Sequence, residues 1–334
     1  MAKRALGPST TWWLEISALY ILAMPGAVSA HHSIAAFYDR SATSEVEGVV
    51  TSMFWRNPHV GITLLVENEQ GEQEEWKLEG GTLNDLRRTG FETESLNVGD
   101  RVRAVGGPSR RGENALSLSI LYLPDGQEVS FFGYGTATST VAAAASNTLS
   151  ATGIFRVWSN AGSLYQLRAP LSLTPAAQAA LDAWDPFTDD PGLRCEAPGM
   201  PNAILNPYPI EFVEEGDTIQ IRIEEWDAVR TIHMNPNASP GPPNPLGHSV
   251  GRWDEGTLIV ETSQIDWPYL DDKGAPQSED VTIVEQFTLS EDDTRLDQEI
   301  LVTDPQYLVE PAIWDAVWVW KPGVRIRPFE CAVR

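Results

Sequence analysis

The chain carries five histidines, and two of them, His31 and His32, stand next to each other directly after Ala30. If export removes the residues up to Ala30, the new α-amine and the two imidazole rings collect three nitrogen donors at one chain end. The amine and ring of an N-terminal His31 can chelate copper together, and one further imidazole completes a T-shaped three-nitrogen site. His59, in Asn57-Pro58-His59, is the candidate for that place. A kink at Pro58 could aim it outward, and a free N-terminal arm can span the distance. A looser alternative uses amine, amide and His32. The bland alternative is a solvated terminus and a hydrogen-bonded His59.

The second pair is His233 and His248, the first at the end of an apolar stretch and the second after a proline-rich loop. A histidine with a carboxylate, Glu261 being the candidate, could move protons in a hydratase- or isomerase-type reaction. A hydrogen-bonded structural histidine is the competing reading. No glycine-rich phosphate loop with Lys and Ser/Thr, no Gly-x-Ser-x-Gly elbow and no His-Glu-x-x-His helix is present. Asp189-Asp190 and Asp271-Asp272 lack the alternating spacing of a calcium loop and read as solvated turns.

Twelve tryptophans form the other surplus, and half of them fall in the last 110 or so positions. Rings of this size, each with one polar edge, line barrels that hold apolar small molecules. Trp226, Arg230, His248, Trp267, Trp318 and Trp320 are the candidate ligand-binding set, and a filled core is the alternative.

These residues need elements to position them. Residues 1–30 join Lys3 and Arg4 to an apolar run and end in Val28-Ser29-Ala30, the pattern of a secretory leader. An uncleaved anchor is the runner-up, but Pro25-Gly26 and a short apolar run argue against a stable span. Later stretches fall short of the ~20 apolar residues a membrane helix needs, so no membrane span is expected after cleavage. The expected location is therefore periplasmic or secreted. The formal charge is -24, and losing Lys3, Arg4 and Glu15 leaves the chain about one unit more negative. Such a surface repels phosphate backbones, so nucleic acid is excluded as a partner. Cys195 and Cys331 are the only cysteines, and in an oxidising compartment they read as one disulfide worth up to roughly 5 kcal/mol.

Alternation and turn residues then place the elements. The stretch 46–67 reads as one long bent strand or two short ones, with the bend at Asn57-Pro58 falling on an edge or bulge. Residues 74–79, 101–106 and 116–123 read as further strands. Thr82 caps a short helix over 83–89 that Gly90 closes. This suits a small Greek-key barrel of the oligonucleotide/oligosaccharide-binding type over 31–132. The stretch 133–152, rich in Gly, Ala, Ser and Thr, reads as a linker.

From 153 to 334 the pattern predicts a larger antiparallel, lipocalin-like barrel. It begins with strands at 153–158 and 164–168 and a helix over 175–184 opened by Thr174-Pro175. A long ordered segment follows over 187–209, pinned by Cys195. Ile219, Ile221 and Ile223 share one face, as do Val281 to Leu289 at every second position, and Leu296, Gln298, Ile300 and Val302. Asp254-Glu255-Gly256 and Glu291-Asp292-Asp293 supply hairpin turns.

Two resemblances follow from particular motifs. Ala30-His31-His32-Ser33, Trp55-Arg56-Asn57-Pro58-His59 and Trp76-Lys77-Leu78-Glu79-Gly80-Gly81 resemble an exported bacterial family of unknown function, over about 30–130. That resemblance implies that His31, His32 and His59 are the family's recurring histidines. Leu205-Asn206-Pro207-Tyr208-Pro209, Gly247-His248-Ser249-Val250-Gly251-Arg252-Trp253 and Thr303-Asp304-Pro305 resemble a second group of uncharacterised secreted proteins. Neither implies a reaction. The expected function is an exported binding protein with a copper site at its N-terminus and an apolar ligand in its second barrel. An enzyme of lipocalin fold and a structural envelope component are the alternatives.

Overall fold

The computed structural model describes residues 34–131, 153–161 and 165–332. The leader, His31, His32 and the stretch expected as a linker lie outside the described residues.

A short helix α1 (Ile34–Phe37) precedes the smaller barrel. Strand β1 (Ser44–Phe54) buries Val46, Gly48 and Val50 and turns Glu45 and Glu47 outward, the period-two alternation of a half-buried strand. It pairs on one side with β2 (Gly61–Glu67) and on the other with β4 (Arg101–Pro108), where Arg101 and Arg103 meet Glu47 and Glu45. The order is β3-β2-β1-β4-β5, with β3 spanning Gln73–Glu79 and β5 Ala115–Tyr122. A parallel pairing of β3 with β5 closes the five strands into a barrel. At the β4 register shift a Cβ on Gly106 would lie 2.1 Å from the Ser117 carbonyl, so the backbones can approach there only at glycine.

Between β3 and β4 lies α2 (Leu83–Arg88), started by the Thr82 hydroxyl accepting from the Asp85 N–H, 3.0 Å away. Its Leu83 and Leu86 sit in the barrel core. The expected bend resolves into two strands, and cis Pro58 stands in the connection between them, outside the ladder, rather than at an edge or bulge. A short strand β6 (Glu128–Ser130), not expected, extends β5.

The larger barrel has nine strands in the closed order β15-β14-β13-β12-β11-β10-β9-β7-β16, with β16 returning to β15. They are β7 (Val157–Asn160), β9 (Ile210–Glu215), β10 (Thr218–Ile223), β11 (Ala228–His233), β12 (His248–Asp254), β13 (Thr257–Ser263), β14 (Thr282–Leu289), β15 (Arg295–Thr303) and β16 (Ala312–Val319). The two-residue β8 (Gln166–Leu167) adds to β16. Pairings are antiparallel except at β11 and β12, which touch at two positions across the proline-rich loop. The inner face is as the alternation predicts: Ile219, Ile221, Ile223, Ile283, Phe287, Leu296, Ile300 and Val302 join one core. The strand expected at 153–158 instead starts at Val157. Helix α3 (Pro175–Ala183) follows its Thr174 cap as expected.

A disulfide joins Cys195 to Cys331 with 6.0 Å between the α-carbons. It holds the C-terminal segment where the two barrels meet. There Asn57 bridges to Cys331, its amide Nδ2 donates to the Phe329 carbonyl, and its side-chain oxygen accepts from the Leu83 N–H at 2.9 Å. Phe329 is buried edge-on against Tyr208.

Candidate functional site

Two concave regions belong to the larger barrel. The first lies at the end carrying the Asp254-Glu255-Gly256 turn, a hollow of about 300 Å³ lined by Ile154, Phe155, Trp253, Phe287, Leu289 and Leu296. Leu289 and Leu296 face each other across the β14–β15 ladder, and Phe287 is one inward position deeper. Trp253 stands at the lip, 46% exposed, with its ring centroid 6.3 Å from Phe155 and edge-on to it. No ionisable residue lines this hollow.

One further step along the inner face of β14 the barrel turns polar. Glu285, fully buried, pairs with the Arg230 guanidinium from β11 and accepts from Gln298 Nε2 at 3.0 Å. Arg230 also donates to Ser249 at 3.0 Å and Thr262 at 2.6 Å, while the Trp318 indole donates to Gln298 Oε1 at 2.8 Å. Burial drives the Tyr165 hydroxyl pKa well above its ordinary value, and the nearby Glu285 charge adds to the shift. A charge pair this deep is tolerated because most of its lone pairs and protons find partners.

The second region is a cleft bounded by the end of α3, the disulfide-pinned segment and residues 267–272. Four rings line it, from Trp184, Trp226, Trp267 and Tyr269, with five carboxylates from Asp190, Glu196, Glu225, Asp271 and Asp272. Counting its open side it spans about 430 Å³, but its floor is narrow, so it is a slot rather than a chamber. Asp271 accepts from the backbone N–H groups of Lys273 and Ala275, each at 3.0 Å. Burial nevertheless raises its pKa. Glu225, 1% exposed, accepts from Asn206.

The structure does not gather the six expected ligand residues. Trp226 and Trp267 line the cleft, and Trp267 also joins the core of the larger barrel. Arg230 and Trp318 belong to the buried polar network. Trp320 lies just past β16 with the Arg156 guanidinium 4.9 Å over its ring. His248 begins β12 on the face opposite buried Ser249, and it lies beside His233, their ring centroids 5.1 Å apart. Glu261 is exposed and held by Arg252 at 2.7 Å, so no carboxylate of the proposed catalytic set faces His248 in a cavity.

His59 does not aim outward. Its side chain is 10% exposed, with Nδ1 3.3 Å from the Gly80 carbonyl and 3.8 Å from Glu79 Oε1. Among the described residues no three His, Cys, Asp or Glu side chains converge to hold a metal ion. The lip of the hollow also has a signal in the sequence. Trp253 sits one residue before a hairpin turn, a position that puts a large ring at a barrel end, and that spacing was available in the sequence.

Residues 7–117, about a third of the chain, match a family of unknown function (DUF6152). The match covers the smaller barrel as far as the start of β5, and it agrees with the resemblance of this part to an uncharacterised family. No curated protein and no solved structure matches the chain. No helix among the described residues is long and apolar enough to cross a membrane.

Proposed function

We propose that the protein is an exported binding protein whose larger barrel takes an apolar small molecule, an acyl chain or an aromatic compound, into the hollow behind Trp253. The observation that carries this is an apolar hollow of about 300 Å³ with a half-exposed indole at its lip. That volume lies at the lower end of small-molecule sites, and each 100 Å² of apolar ligand surface buried there contributes about 2.5 kcal/mol. Support for export comes from the leader pattern and from the Cys195–Cys331 disulfide, a bond that persists in oxidising compartments. Titration with medium-chain fatty alcohols and naphthalene, followed by tryptophan fluorescence, should saturate. Trp253→Ala and Leu296→Gln should each weaken binding by about tenfold. No saturable response to any of these ligands would rule the reading out and leave a structural role.

A second reading rests on His59. A ligating histidine characteristically gives its other ring nitrogen to a carbonyl or carboxylate, and His59 Nδ1 has both within reach in Gly80 and Glu79. In such a site the amine and ring of a mature N-terminal His31 would hold copper, and Nε2 of His59 would supply the third nitrogen. Cu(II) titration of the exported protein should lose tight binding in both His31→Ala and His59→Ala. Unchanged affinity in either variant refutes the site.

A further inference from the structure

We propose that the slot beside α3 binds a neutral saccharide, whose hydroxyl groups enter between carboxylates and indole N–H groups while its ring lies along the aromatic rim. The lining selects the ligand class. Five carboxylates and no lysine or arginine exclude an anion. The indole nitrogens of Trp184 and Trp267 are buried donors with no hydrogen-bond partner among the described residues, and Trp267 is only 8% exposed. A buried donor left unmade costs about 1–3 kcal/mol, so the slot favours a guest that brings an acceptor. The carboxylates along the slot are acceptors and suit a guest that also brings donors. A hydroxyl group supplies both, which a quaternary ammonium ion does not.

The rings are held in place before any ligand arrives. A Cβ on Gly274 would lie 2.3 Å from the Trp184 ring, and one on Gly199 would lie 2.5 Å from Trp267, so each indole rests directly on backbone. Tyr269 stands edge-on between them, 6.3 Å from Trp184 and 6.1 Å from Trp267. Fixed rings lose little entropy on binding. The narrow floor admits hydroxyl groups but not a whole sugar ring, so the ring must lie on the open side against the aromatic rim.

The test uses the full exported chain. Glucose, mannose, N-acetylglucosamine and their β-linked dimers are titrated by calorimetry beside tetramethylammonium chloride. At least one neutral sugar should bind saturably, and the indole N–H resonances of Trp184 and Trp267 in isotope-labelled wild-type protein should move with it. Trp184→Phe and Trp267→Phe, which keep a ring and remove the donor, should each weaken that binding roughly fivefold. Trp253→Ala, at the other end of the barrel, should leave it unchanged. The proposal is overturned if no neutral sugar binds, if only tetramethylammonium binds, or if both indole resonances stay in place in wild type at saturating sugar. The last outcome is read without any variant, so a substitution that fails to fold does not shield the proposal.

Discussion

The Arg88 guanidinium on α2 of the smaller barrel pairs with the Glu224 carboxylate, which is fully buried after β10 of the larger one. Glu224 also accepts from the Arg327 N–H at 2.9 Å and from Asn84 Nδ2 at 3.2 Å, so one carboxylate gathers both barrels and the C-terminal segment. Burial raises its pKa, and Arg88 is the largest opposing influence. Removing the arginine should therefore cost more than neutralising the acid. Arg88→Ala strands a buried charge and should lower stability by about 3 kcal/mol. Glu224→Gln keeps an acceptor for Arg327 and should cost about 1–2 kcal/mol. Urea unfolding measures both, and the reverse order would show that Glu224 is not held as an ion.

The smaller barrel and the inner faces of the larger one were legible because they rest on short-range rules. Val46 and Val50, Ile219 to Ile223 and Leu296 to Val302 reveal their faces by period two, and Thr82 and Thr174 reveal helix starts by hydroxyl capping. What was hidden depends on partners far away in sequence. Asn57 meets Phe329 272 positions later, and Arg230 enters the barrel only because Glu285 and Thr262 wait there. The tryptophans scattered because ring identity does not fix a face. Trp318 follows its strand inward, Trp320 lies past the strand's end, and Trp226 leaves the ladder with φ 62°.

Cys195 and Cys331 close a loop of 136 positions around nearly the whole larger barrel. Reduction, or Cys331→Ser, should cost about 2–5 kcal/mol in the unfolding free energy. Because Cys331 anchors the segment carrying Phe329, reduction should also raise amide exchange at Phe329 and Ala332, whose N–H groups bond to Asp227 and Asn57. Unchanged exchange at those two amides would mean that packing alone holds the segment.

The Arg230–Glu285 pair predicts a non-additive result. Either single change, Arg230→Met or Glu285→Leu, leaves the other charge inside the barrel with both ends of the pair buried, and should cost about 3–5 kcal/mol. The double variant removes both charges and should recover most of that loss, since Ser249 and Thr262 still bond to each other at 3.0 Å. Denaturant unfolding of the three variants completes the cycle, and simple additivity would show that the pair does not act as a unit.

Asp271 sets a pH dependence whose sign follows from burial. Its folded pKa lies above the unfolded one, so ionisation is disfavoured in the fold, and the stability this group contributes is present at low pH and lost as pH rises through the folded pKa. Asp271→Asn keeps an oxygen for the Lys273 and Ala275 N–H groups and removes the charge. The variant should melt above wild type at about pH 7.5, and the gap should close as pH falls to about 3.5, where wild type is also protonated. Thermal melts across that range decide it: a gap that widens on acidification would mean that the backbone donors outweigh burial, and that Asp271 serves the slot as a stabilised carboxylate.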